Sequence, residues 1–283
     1  MIDGALWEEY DVEGHSPRMQ EWREEYARRS RRAYAALACQ RDIPYGAHPR
    51  ETLDFFPAAQ PGSRVLVYIH GGFWRRGDKR DSAHLAAAFV PAGWNFATVE
   101  YPLLPETGFA QIVAAVRRLA DALPSLAAAQ HIAEPRFVLS GHSAGAHLAF
   151  NAAAHLRGRI AGLILTGGVY DLAPLVRTPA QEWLQLTAEE AERFSPAKIP
   201  PWPPQHPILI AVGADDRPGL RRQALALHRR FQQAGHDSKF MVTPGDCHFS
   251  IIGRMADPGH ALGHATASLL DPVNAVPERD RLC

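Results

Sequence analysis

"FVLSGHSAGAHLAF", residues 137–150, passes from one kind of periodicity to another within a few positions. Phe137, Val138 and Leu139 belong to an apolar run that reads as a strand buried on both faces. From Ala144 onward small and apolar residues surround the whole turn, the pattern of a buried helix. Between them stands Gly141-His142-Ser143-Ala144-Gly145. Small residues two before and two after a serine let the chain turn sharply from strand to helix. The serine then leaves regular packing, with its hydroxyl at the helix N-terminus. Such a turn needs a strand to deliver it and a helix to return across the sheet, so it already implies an α/β layer structure.

The alternation continues in both directions. Upstream, "ETLDFFPAA" (51–59) reads as a short strand, "RVLVYIH" (64–70) as a strand and "DSAHLAAAFVPAG" (81–93) as a helix. "NFATVEYPL" (95–103) is another strand and "FAQIVAAVRRLADAL" (109–123) another helix. Downstream, "IAGLILTG" (160–167) and "HPILIAVG" (206–213) are strands. "GLRRQALALHRRFQQAG" (219–235) is helical, "SKFMVTPG" (238–245) is a last strand, and a helical stretch closes near residue 270. The expected fold class is α/β, a mostly parallel central sheet with helices on both faces. Residues 16–38 open with a Ser cap and a Pro at the first helical position. Met19, Trp22, Tyr26, Ala33 and Leu37 form much of one apolar stripe, and the basic run Arg28–Arg32 reads as a solvated face. No repeat or linker divides the chain. Residues 1–283 are therefore expected to form one domain, with an N-terminal helical extension at 16–38 and a cap-like insertion at about 167–206. That insertion follows the carboxyl end of a strand, where open α/β sheets bind ligands. The tail "DPVNAVPERDRLC" is expected to be poorly ordered.

Composition narrows the function. Apolar residues make up 46% of the 283, enough for a large core, and 30 basic side chains balance 30 acidic ones. That balance argues against nucleic acid or an anionic membrane as partner. Residues 1–15 are acidic and lack a signal-peptide stretch, and no run is apolar enough to span a bilayer. Cys39, Cys247 and Cys283 form neither a disulfide framework nor a zinc cluster, which suits a cytoplasmic setting. The glycines around residues 71 and 141 make no dinucleotide fingerprint, and no Walker sequence occurs. His260 and His264 read as a surface pair rather than metal ligands. No cofactor and no metal are expected, and an edge strand or helix offers a contact for a homodimer.

A serine hydroxyl is a weak nucleophile until a base takes its proton. Among the 14 histidines the best-placed is His248, in "TPGDCHFSII" (243–252) after the last strand. His15, His48, His228 and His236 read as surface residues. His142 leaves the turn in another direction from Ser143, and His70 is expected to brace the glycine loop. The base needs a carboxylate to fix its tautomer. "ILIAVGADDRPG" (208–219) supplies Asp215 and Asp216, of which spacing favours Asp216 only slightly. The chain order Ser, Asp, His is that of α/β-hydrolases. Attack on a carbonyl also needs donors for the oxyanion. The N–H of Ala144 is one. Gly72 and Phe73, in "VLVYIHGGFWRRGDKRD" (65–81), supply others from a loop that two glycines bring close. Trp74, Tyr170 and Trp183 are candidates for an aromatic substrate pocket.

From about residue 5 to 270 the sequence resembles the arylformamidases, or kynurenine formamidases, of α/β-hydrolase type. The resemblance rests on "IPYGAHPRETLDFFPA" (43–58), "HGGFWRRGDK" (70–79), "GHSAGAHLA" (141–149), "GGVYDLAPLVRT" (167–178), "LTAEEAERFSP" (186–196) and "CHFSII" (247–252). The family's Gly-x-x-Asp, with Gln seven residues on, falls on Gly213, Asp216 and Gln223. The resemblance thus implies Ser143, Asp216 and His248 as catalytic residues, with Asp215 the fallback. It further implies hydrolysis of an aryl formamide, N-formyl-L-kynurenine giving L-kynurenine and formate. Ala180 and Gln181 stand where asparagine is expected, and Glu100 takes an unusual place before Tyr101-Pro102. A carboxylesterase for small acyl or aryl esters would use the same residues, and a noncatalytic hydrolase-like binding protein is a third reading.

Overall fold

Period-two alternation sends consecutive residues of a strand to opposite sides of a sheet, so a sheet covered on both faces needs apolar residues at every position. The computed structural model describes residues 2–59, 62–204 and 206–270. Its strands are β1 (Gln40–Pro44), β2 (Thr52–Phe56), β3 (Arg64–Ile69), β4 (Asn95–Val99), β5 (Arg136–His142), β6 (Gly162–Thr166), β7 (Ile208–Gly213) and β8 (Ser238–Thr243). Among the described residues they form one eight-stranded sheet in the order β1-β2-β4-β3-β5-β6-β7-β8. The β1–β2 and β2–β4 pairs are antiparallel and all others parallel.

Alternation decides the two cores. Val65, Val67, Ile69, Leu139, Ile208 and Ile210 join one apolar cluster, while Leu66, Tyr68, Val138 and Leu209 join another. The first is covered by helices with long apolar stripes: α2 (Phe109–Ala129), α3 (Ala144–His155) and α4 (Pro218–Gln233). Over the second lie a 3₁₀ turn at Lys79–Leu85, the short helix Ala86–Phe89, and α5 (Ala261–Leu270). The first long helix, α1 (Met19–Ala36), docks on the 3₁₀ turn. There the Tyr26 and His84 rings stack at 4.5 Å, and Ser30 Oγ accepts the N–H of His84 at 3.0 Å.

Several local expectations need correction. β1 was not anticipated: it is an exposed edge strand, "QRDIP", held by its pairing with β2 rather than by apolar alternation. The stretch 81–93 is not a regular helix, because its first part adopts 3₁₀ geometry under α1. Ser16 does not cap α1. Its carbonyl accepts the N–H of Met19 in a preceding turn, and Arg18 holds the cap position, its side chain donating to Glu21 rather than capping the helix. Within the basic run, Arg28 pairs with Glu25 three residues before it on the same helix. His228 and His236 are buried, not surface residues, and bond Ser238 Oγ and the carbonyl of Trp202. His260 is no bare surface pair with His264, since its Nε2 lies 3.2 Å from Asp246. The tail from residue 271 lies outside the described residues. Among those residues no helix is long and apolar enough to cross a membrane.

Buried imidazoles make this core sensitive to acid. Burial pushes His84 and His147 down from 6.5 to about 3, and His206 down to about 4. With the folded value depressed, the unfolded chain binds protons that the folded chain refuses. Stability is complete above about 6.5 and is lost as pH falls toward the folded values. Each ring is expected to withdraw roughly 2 kcal/mol between pH 6.5 and 5. Urea midpoints measured at pH 7 and pH 5 should differ clearly, and equal midpoints would refute this account.

Candidate active site

The strand–turn–helix at Ser143 is built by close backbone contact. β5 ends at His142, α3 begins at Ala144, and Ser143 between them takes φ 56° and ψ −122°, outside the usual regions for a residue with a side chain. A Cβ on Gly145 would come within 2.1 Å of the carbonyl oxygen of Ile69, and one on Gly141 within 2.3 Å of that of Gly145. Any side chain at either position would open the turn. The Ser143 N–H donates to Thr166 at 2.9 Å, tying the turn to β6.

His248 comes from the loop after β8, and Asp216 from the loop after β7. The two are buried together. His248 Nδ1 lies 2.9 Å from Asp216 Oδ2 and 3.1 Å from Oδ1, while the Arg217 N–H donates to Oδ1 at 2.8 Å. A carboxylate only accepts, so Nδ1 carries a hydrogen, and it is the neutral form of such a ring that keeps a lone pair on Nε2. Asp215, by contrast, is exposed and uses its backbone N–H on the carbonyl of Asp246. The loop of His248 is braced from beneath: Asp246 accepts Ser250 Oγ at 2.8 Å and Arg254 Nε at 3.0 Å.

Ser143 and His248 line one cavity of about 430 Å³ with His70, Gly71, Gly72 and Phe73. The glycine loop is contorted, with φ of 125° at Gly72, 51° at Phe73 and 56° at Trp74. Only glycine fits at 72, where a Cβ would lie 2.1 Å from the carbonyl oxygen of Arg76. Among the described residues the N–H groups of Gly72 and Phe73 donate to no protein acceptor. The N–H of Ala144, at the start of α3, is one of the groups a helix leaves unpaired.

The three aromatic pocket candidates are elsewhere. Trp74 is fully buried against Phe109, and its Nε1 donates to His147 at 3.3 Å. Tyr170 is fully buried, and its N–H donates to Gln223 at 2.7 Å. Trp183 packs behind Phe73 with Trp7, under the guanidinium of Arg75. All three stabilise the layers around the loops, and none lines the cavity. Gln223 gathers the N–H groups of Tyr170 and Asp171 and so fixes the segment after β6 to α4.

The wall that sequence reading missed belongs to α1. Gln20, Arg23, Glu24, Tyr26 and Ala27 face the cavity, and Glu13 at its rim is bonded by Arg23 and Arg76. The Tyr26 hydroxyl donates to the carbonyl of Phe249 at 2.9 Å and accepts the Gly253 N–H at 3.1 Å, which anchors the helix to the loop of His248. The apolar stripe of α1 was a signal that the helix docks. Nothing in it identified the surface.

Residues 66–251 match the model of an alpha/beta-hydrolase fold family. The chain is 30% identical to a kynurenine formamidase from Danio rerio over 243 residues, 82% of each chain. It is 31% identical to an acetyl-hydrolase from Streptomyces hygroscopicus, covering 66% of this chain and 68% of that one. Among solved structures, a protein provisionally named a thioesterase, from Silicibacter sp. TM1040, superimposes with a TM-score of 0.82 at 25% identity, covering 94% of this chain and all of the other.

Proposed function

This chain belongs to the α/β-hydrolase family, and from that membership we propose that it is a serine hydrolase acting on small acyl and aryl esters, with Ser143 as its nucleophile. The observation that carries the reading is His248, its Nδ1 held by both oxygens of Asp216 while its ring lines the same cavity as Ser143 and the glycine loop. His248 Nε2 takes the hydroxyl proton as Ser143 attacks the acyl carbon, and Asp216 stabilises the imidazolium that results. The N–H groups of Ala144, Gly72 and Phe73 hold the oxyanion. The imidazolium protonates the departing alkoxide, and water activated by the same ring then releases the acid. A cavity of about 430 Å³ suits a small substrate. The relatives named an acetyl-hydrolase and, provisionally, a thioesterase support an ester as the bond cleaved.

The second reading is hydrolysis of an aryl formamide, favoured by the likeness to the Danio rerio formamidase across most of both chains. The residues would be the same. His248 would protonate an aromatic amine, and the acyl carbon, bearing only hydrogen, would need little room. A comparison of kcat/KM for p-nitrophenyl acetate and N-formylkynurenine separates the two. The ester reading expects the acetate to be preferred at least tenfold, a margin of about 1.4 kcal/mol in transition-state binding. The reverse preference would make the chain a formamidase, and no turnover on a broad panel of either class would leave only a binding protein.

A further inference from the structure

Two buried groups beside the glycine loop take no part in these proton transfers: His70, just after β3, and Glu100, just after β4. His70 Nε2 lies 3.1 Å from Glu100 Oε1, and Nδ1 lies 2.8 Å from the carbonyl oxygen of Gly71. An ionised carboxylate and a backbone carbonyl can only accept. Both ring nitrogens must therefore carry hydrogen for both bonds to exist, which makes the ring an imidazolium.

The surroundings fit a charged pair. Burial raises the Glu100 carboxyl, but the bond and charge of His70, the Tyr101 N–H and the Arg50 guanidinium outweigh it and hold the group below its ordinary value. Arg50 reaches Glu100 Oε1 at 2.8 Å, and the Lys79 N–H donates to Oε2 at 3.2 Å. Tyr101 stacks on the imidazole at 4.5 Å and donates its hydroxyl to the His70 carbonyl at 3.0 Å. Asp81 is a second carboxylate whose charge interacts with the ring.

The carbonyl of Gly71 and the N–H of Gly72 belong to one trans peptide and point in opposite directions. A cation bonded to that oxygen fixes the peptide plane. It also draws electron density toward the oxygen, which makes the N–H across the plane a stronger donor. We propose that the Glu100–His70 ion pair is a positioning device for the oxyanion loop: it holds the Gly71–Gly72 peptide with its N–H turned away from the imidazolium, and polarises that N–H for the charge that develops in the transition state. The inference rests on the reading of Ser143 as nucleophile and of Gly72 as an oxyanion donor. It also gives a role to the acidic residue that stands unusually before Tyr101-Pro102.

The test is Glu100→Gln, which keeps an acceptor of the same length and removes the charge. On p-nitrophenyl acetate, kcat is expected to fall roughly tenfold with KM nearly unchanged, less than the roughly hundredfold that follows complete loss of an oxyanion donor. Glu100→Asp should recover part of the loss. Nitrogen-15 NMR of the histidine side chains should show, at pH 7.5, a ring with both nitrogens protonated. Its signal should vanish in His70→Asn and revert to a neutral ring in Glu100→Gln. A neutral His70 in the unaltered protein would overturn the proposal, even if Glu100→Gln failed to fold. So would wild-type kcat in a Glu100→Gln protein whose His70 has become neutral. Failure of the underlying reading looks different: Ser143→Ala would then retain turnover, whatever the ring signal shows.

Discussion

Ser143→Ala is expected to lower kcat on the best ester substrate by about 10⁶-fold, the scale on which removal of a serine nucleophile acts. The reason lies in the covalent step. Without the hydroxyl no acyl-enzyme forms, and the turn, the oxyanion donors and the cavity can contribute only their residual effect on direct attack by water. The structure should tolerate the change, because alanine removes a single oxygen and the contacts that shape the turn are made by Gly141, Gly145 and the backbone. Circular dichroism and the thermal midpoint should stay near those of the unaltered protein. A fluorophosphonate probe should label the parent protein once per chain and leave Ser143→Ala unlabelled. Substantial turnover in the variant would transfer the nucleophile to another residue.

The second large effect is expected from the paired aspartates. Asp216→Asn should reduce kcat by about 10⁴-fold, since an amide that presents its NH₂ to Nδ1 favours the tautomer with hydrogen on Nε2, and that nitrogen can then no longer accept the serine proton. Asp215→Asn should leave kcat within about twofold, its side chain being exposed and remote from any role in holding the imidazole. Adjacent carboxylates with such unlike outcomes are a sharp control, because net charge and loop composition change identically in both. Equal losses would show that the contact between Asp216 and His248 does not govern the reaction.

How much of this could be read from sequence follows from how local each determinant is. The turn at Ser143 was legible because its glycines, its strand and its helix are consecutive. The inner strands were legible because burial on both faces writes an unbroken apolar run, as in "ILIAVG". β1 was not, since an edge strand faces solvent and carries charges and a proline. Trp74 and Tyr170 misled for a related reason: a large ring beside a functional loop fits a cavity wall as well as a core, and only packing against Phe109 or the bond to Gln223 distinguishes them. Spacing favoured Asp216 over Asp215 only slightly, and the resemblance to arylformamidases chose Asp216, which lies against His248. The wall contributed by α1 was invisible, because Tyr26 meets residues more than two hundred positions away. Glu100 stood out in the sequence, yet its partner became evident only when β3 and β4 were side by side.

The separation of Tyr26 from Phe249 along the chain governs how the site is assembled. The hollow in front of Ser143 is closed by a helix made early in synthesis and by the loop of His248, made late, and the hydroxyl of Tyr26 joins them directly. The wall in front of Ser143 is therefore complete only when segments more than two hundred residues apart in the chain have met.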